Sequence, residues 1–273
     1  MLFRSDECLK IQEALQDYQT FMRERGADLE ILDQGPLNVG TRLIGASVIG
    51  RAMHELPTLK GLSSGQEIIA TRHLGDLSFL SMNRASYFPE KRKGEDNAIR
   101  LSVLQRFATP NLLLARKIRA YLPDLGKKFD PDRHIFFATD ISGPGLAVLE
   151  EGANASGVDV RIDDMKFLDE RSLKFYRKNQ TSSTNGPILL AASRNVIEQI
   201  QSDLHASGYS ETWRVGSVLG PSAKPCIELA SNLEKRFASN NPRIDFFRPE
   251  VHFGEKGESK ERVPIFQRFR FKN

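Results

Sequence analysis

Asp140 is the residue in this chain whose type and setting most directly suggest chemistry. It closes a short apolar run of strand type, His134 to Ala138, and a turn rich in small residues follows: Ser142, Gly143, Pro144 and Gly145. Leu146, Leu149 and Ala153 then recur at helical spacing. A carboxylate at the C-terminal end of a strand, beside a glycine turn and a helix N-terminus, suits a metal-bridged phosphate. An Asp in that position can also do no more than cap its own loop. The glycines do not complete a dinucleotide fingerprint, because Val148 stands where the third would fall. A phosphoribosyltransferase loop would need two adjacent acids, and here Thr139 precedes Asp140.

Other chemistries lack their residues. Pro225-Cys226 would begin a zinc-deaminase ligand pair, but Leu229 occupies the second cysteine position. The five histidines show no metal spacing. Cys8 and Cys226 form neither a disulfide framework nor a ligand set, which fits a reducing, cytoplasmic setting. The Arg/Phe interleaving of IFQRFRFKN at the C-terminus reads as a docking strand, and nucleic acid is not expected as a partner. A formal charge of +4 on 273 residues is too small to alter that reading. No apolar run reaches the ~18 residues of a membrane helix, and MLFRSDECLK carries acids where a leader would be apolar.

The elements that must position Asp140 follow from periodicity. Residues 7–25 read as an amphipathic helix closed by Gly26. Strands are expected at 29–32, 41–49 and 67–71, and an exposed loop over 84–97. Helices are expected over 99–107 and 111–121, the second with Thr109 as N-cap and Pro110 at its first position. Val158, Val160 and Ile162 alternate as a strand. A charged helical segment should run from 165 to about 178, followed by a polar loop, NQTSSTNGP. Ile188 to Ala192 reads as a strand and Val196, Ile197, Ile200 and Leu204 as a helix ended by Gly208. Trp213 to Leu219 reads as a strand. Ile227, Ala230, Leu233 and Phe237 are expected on a helix, and Ile244 to Phe247 on a strand. Strand and helix thus alternate from about residue 106 to 250, which argues an α/β domain of layered helices and sheet. Residues 1–105 look too sparse to close a core alone, and 251–273 form a charged tail.

Several stretches together resemble one family. ATDISGPGLAVLEEGANASGVDVRID is similar to the Thr-Asp-Val-Thr-Gly-Phe-Gly-Leu motif and following helix of selenophosphate synthetases (selenide, water dikinases). Gln180-Thr181-Ser182 with GPILLAAS resembles their Gln-Thr-Ser-Gly-Gly-Leu-Leu strand, LSSGQEIIATRHLG their Leu-Thr-Lys-Pro-Leu-Gly segment, and ATPNLLLARKIR their Pro-Asn helix. On these residues the chain resembles the AIR-synthase (PurM)-like superfamily over roughly residues 12–220. The resemblance implies an incomplete N-terminal barrel-forming domain at 1–105 and a complete C-terminal α/β domain at 106–250. It implies ATP as substrate, with Thr139, Asp140, Gly143 and Gly145 at the nucleotide and Asp140 as a Mg2+ ligand. The family reaction is ATP plus selenide giving selenophosphate, AMP and phosphate. Family members are homodimers, and an open sheet edge in the first half also calls for a homodimer or heterodimer.

The departures from the family are expectations too. Its glycine-rich loop with a catalytic Cys or selenocysteine and a Lys, and its further metal-binding aspartates, would precede Met1. Its Gly-Gly-His-Thr turn aligns with Gln34-Gly35-Pro36-Leu37, and Lys-Pro-Leu-Gly-Thr with Arg72-His73-Leu74-Gly75-Asp76. The chain is therefore expected to be poorly active alone. A non-catalytic interaction or nucleotide-sensing subunit, and another ATP-dependent member of the superfamily, are the alternatives.

Overall fold

A computed structural model describes residues 5–27, 52–84, 93–109, 111–142, 146, 148–172, 187–233 and 269–270. Contacts divide the chain after Arg51, into Met1–Arg51 and Ala52–Asn273. The first unit contains α1, Ser5–Glu24. It stops where Gly26 takes φ +72°, a conformation that costs glycine nothing. The Arg25 guanidinium donates to the Phe21 carbonyl at 3.0 Å and lies 3.4 Å over the Phe21 ring. The strands expected at 29–32, 41–49 and 244–247 lie outside the described residues.

The second unit is a mixed α/β structure, the class expected from the alternating pattern. Its strands are β1 (Glu67–Ala70), β2 (Phe137–Asp140), β3 (Val158–Ile162), β4 (Ile188–Ala192), β5 (Trp213–Pro221), β6 (Ile227–Leu229) and β7 (Phe269–Arg270). Its helices are α2 (Asp76–Arg84), α3 (Lys93–Ala108), α4 (Leu112–Ile118), α5 (Val148–Ser156) and α6 (Arg194–Ala206). The seven strands form one sheet in the order β2-β4-β1-β5-β3-β6-β7. Pairing is antiparallel from β2 across to β3 and parallel between β3 and β6 and between β6 and β7. β1, from the stretch expected to be too sparse to close a core alone, is thus an inner strand between β4 and β5.

Side-chain alternation sorts the core onto the two faces of this sheet. Ile68, Phe137, Leu189, Ala191 and Val215 face α5, which contributes Leu149 and Ala153. Ile69, Leu190 and Ala192 face α4 and α6, which contribute Leu114, Ile118, Val196, Ile197, Ile200 and Leu204. A third cluster, Phe79 and Val103 with Ile99 and Phe107, joins α2 to α3. The loop after β3 is fastened to it by an ion cluster. Arg171 Nη2 lies 2.5 Å from Asp96 Oδ1 on α3 and 2.6 Å from Asp169 Oδ2, with all three side chains about nine-tenths buried.

Four expectations change. α3 begins at Lys93, so the end of the expected loop 84–97 is helix; Glu95 and Asp96 in its first turn favour the helix dipole. Thr109 does not cap α4. Its hydroxyl donates back to the Gln105 carbonyl at 2.8 Å and closes α3 instead, and α4 is preceded by Asn111. Residues 165–172 hold only a 3-10 turn, Glu170–Ser172, because Leu74 and Phe167 pair backbones and stretch that segment along the sheet edge. Ile227 to Leu229 is strand, not helix: Ile227 and Leu229 are buried at period two against the α5 face, and β3 supplies a parallel partner. The tail expectation of a docking strand holds at Phe269–Arg270, which pairs with Ile227 and Glu228.

Gly216 is where the sheet is least forgiving. A Cβ there would lie 1.8 Å from the Arg161 carbonyl oxygen across the β3–β5 ladder, whereas a Cβ at Gly94 on α3 would meet nothing within 4 Å. Gly216→Ala should therefore cost at least about 1–3 kcal/mol, while Gly94→Ala should stabilise by up to about 1 kcal/mol. Urea denaturation of the two variants checks this; equal midpoints would contradict the β3–β5 register.

Candidate functional site

The antiparallel pairings bring the C-terminal ends of β1, β2 and β3 and the N-terminal ends of β4 and β5 to one rim of the sheet. Asp140 opposes Ile188, Ala70 opposes both Leu189 and Trp213, and Ile162 opposes Gly216. Whatever chemistry the fold supports from its strand ends belongs on this rim.

Asp140 is the last residue of β2 and is exposed. Its Oδ1 accepts from the Ser142 amide at 3.2 Å and from the Ser142 hydroxyl at 2.8 Å. The carboxylate thus caps its own turn and is at the same time exposed. Thr139 is half-buried, and its hydroxyl donates to the Asp140 carbonyl at 3.2 Å. Gly143 and Gly145 lie outside the described residues. Among the described residues no group of three or more His, Cys, Asp or Glu side chains could hold a metal ion. A lone exposed carboxylate of this kind is the donor a phosphate-bridging Mg2+ takes alongside waters and phosphate oxygens.

The middle of the rim was not visible in the sequence as a site. Thr71 exchanges bonds with β4: the Thr71 amide donates to the Ile188 carbonyl at 3.1 Å, and the Ile188 amide donates to the Thr71 hydroxyl at 2.9 Å. The Trp213 indole donates to the Arg72 carbonyl at 3.0 Å. Arg72 Nη2 donates to Asn111 Oδ1 at 2.9 Å. Burial lowers the Arg72 pKa, opposed by the nearby Asp76 and Glu211 carboxylates. Arg106 forms an ion pair with Glu211. Arg106 Nη1 and Glu211 Oε2 are buried with no hydrogen-bond partner among the described residues. His73 stands among Glu211, Lys166, Arg106 and Asp164, and its pKa is lowered chiefly by burial. In sequence these residues are scattered over 140 positions with no motif, and only the sheet order collects them.

Beyond β5 the rim opens into a cavity of about 350 Å³ lined by Asp163, Asp164, Lys166, Gln201, Trp213 and Arg214. The Asp163 and Asp164 amides both donate to the Val215 carbonyl, at 2.8 and 3.2 Å, which folds the loop after β3 over the end of β5. Arg214 Nη2 reaches Glu67 at 3.2 Å and Asp163 at 3.9 Å, and Asp163 is also held by Arg161 at 2.7 Å.

No protein-family model matches the chain. No curated protein matches it significantly. Among solved structures it is similar to E. coli HypE, a hydrogenase maturation protein, at 16% identity over 64% of this chain and 49% of that one, with a TM-score of 0.46. It is also similar to thiamine-monophosphate kinase from Stenotrophomonas maltophilia, at 18% identity over 63% of this chain and 52% of that one, with a TM-score of 0.41. A third likeness is to AaThiL complexed with AMPPCP and TMP, at 15% identity and a TM-score of 0.39. The chain spans about half the length of these solved chains. At such scores the likenesses carry no argument about activity.

His73 gives a test that needs no relative. Burial holds its folded pKa below the ordinary imidazole value of about 6.5, so the unfolded chain binds the proton more readily. Stability must then fall as pH drops below about 6.5 towards the folded pKa. Thermal melts of wild type and His73→Gln between about pH 7.5 and 5 should show a shallower acid slope in the variant. Identical slopes would remove His73 from the titrating groups.

Proposed function

We propose that this chain is a nucleotide-binding member of the AIR-synthase (PurM)-like superfamily in which Asp140 supplies a carboxylate to Mg2+·ATP. The observation that carries the reading is the placement of Asp140 as an exposed carboxylate on the last residue of β2, inside the segment ATDISGPGLAVLEEG and just ahead of α5. Within the superfamily the sequence resemblance favours a selenophosphate synthetase-like protein. The bound metal would offset phosphate charge and stabilise the transferring group. The chain's own contributions are modest and specific. Ser142 holds the Asp140 carboxylate in place through two bonds to Oδ1. Thr139 fixes the backbone at the turn. The reading includes a homodimer or heterodimer in the cytoplasm.

A non-catalytic, nucleotide-sensing subunit is the second reading. It is favoured because, among the described residues, Asp140 does not belong to any group of three or more His, Cys, Asp or Glu side chains that could hold a metal ion. One carboxylate and a helix end, worth about 0.3–1 kcal/mol per charge at exposed sites, fall well short of the ~8 kcal/mol at the low end of enzymatic acceleration.

Calorimetry with ATP, with and without magnesium, tests the common core of both readings. Wild type should bind more tightly with magnesium, and Asp140→Asn should lose roughly tenfold or more of that affinity while keeping its metal-free affinity. Phosphorus NMR of wild type with ATP, magnesium and selenide should show little selenophosphate; robust product abolished by Asp140→Asn would establish the synthetase over the sensor. Magnesium-independent binding that ignores Asp140→Asn would overturn the proposal.

A further inference from the structure

The cavity at the far end of the rim is separate from the Asp140 turn. Between Asp140 on β2 and Trp213 on β5 the sheet order places β4 and β1, so the two residues stand three strand spacings apart, about 14 Å at ~4.8 Å per spacing. A phosphate held at Asp140 does not fill it.

Its lining is charged but unevenly paired. Arg214 is held by Glu67 and Asp163, and Asp163 by Arg161. Asp164 and Lys166 also line the cavity, and neither forms an ion pair among the described residues. They are two residues apart, so their Cα atoms are separated by at most about 7 Å, and yet their side chains do not meet. Asp164 Oδ1 accepts from the Met165 amide at 2.7 Å, which holds the carboxylate against its own loop. Gln201 from α6 adds an amide that can donate or accept, and Trp213, only 3% exposed and pinned by its indole bond to the Arg72 carbonyl, closes the base of the cavity. At about 350 Å³ the cavity is at the small end of ligand sites.

We propose that this cavity binds a small zwitterion, a molecule with a primary ammonium at one end and a carboxylate at the other. The ammonium pairs with Asp164, the carboxylate with Lys166, and the short carbon chain between them lies against Trp213. A ligand with only one charge would leave the opposite lining group unmatched.

The full chain carries one tryptophan, so Trp213 reports occupancy directly. Titrating 4-aminobutanoate should give a saturable change in indole emission at millimolar concentration, and butylamine and butanoate should bind at least roughly tenfold more weakly. Lys166→Met and Asp164→Asn should each weaken binding by a similar factor. The asparagine keeps an Oδ1 that can accept from the Met165 amide, so the loop is retained. Asp140→Asn should leave the titration unchanged, which separates this site from the nucleotide reading. Circular dichroism melts confirm that each variant is folded, and calorimetry gives a second measure of affinity. No saturable signal up to about 10 mM, equal affinity for the singly charged analogues, or indifference to both lining substitutions would overturn the proposal.

Discussion

The sheet depends on four residues, Glu67 to Ala70, being buried on both faces and hydrogen-bonded along both edges. Ile68 and Ala70 pack under the α5 layer and Ile69 under the α4 and α6 layer, so one strand ties the two halves of the core together. Its N-terminal residue is a carboxylate held by Arg194 at 3.4 Å and Arg214 at 3.2 Å, which pins the start of α6 and β5 to the same point. Removing either arginine would leave the charge on Glu67 less compensated in a site where its side chain is only one-tenth exposed. The rim, with Asp140 on one flank and the cavity on the other, has its geometry because β1 sits between them.

Much of this was written in local pattern. Ile188 to Ala192, Val196 to Leu204 and Trp213 to Leu219 carry runs and periods strong enough to fix element type, and the positive φ of Gly157 and Gly208 ends α5 and α6 where glycine was expected to. What pattern could not settle was partnership. Ile227 fits a helix by spacing, but a three-residue strand, Ile227–Leu229, formed because β3 offered an unpaired edge, and helix begins only after Ala230, where it includes Leu233. Thr109 had the chemistry of an N-cap and spent its hydroxyl on the preceding helix. The partners of β1 lie far along the chain, and no local pattern names them.

The candidate site divides in the same way. Asp140 was legible because strand, carboxylate and turn are contiguous in sequence. The Arg72, Arg106 and Glu211 cluster, and the cavity formed by Asp164, Lys166 and Trp213, were not. Asp163-Asp164 at the end of an alternating strand was the one available signal, and an acidic pair at a strand end is ambiguous until the neighbouring strand is known.

The span of the central strand's contacts sets an order on biosynthesis. The Trp213 indole that bonds Arg72 is 141 positions downstream, and β1 itself zips to β4 and β5. A ribosome adding about 5–20 residues per second exposes this apolar segment for roughly 7–30 s before β5 exists to cover its second edge. Helices α2 to α5 can form in that interval, but the sheet cannot close until nearly the whole of its sequence has been made. The fold is therefore committed late, and the nascent chain must be kept from pairing that open edge with a neighbour's.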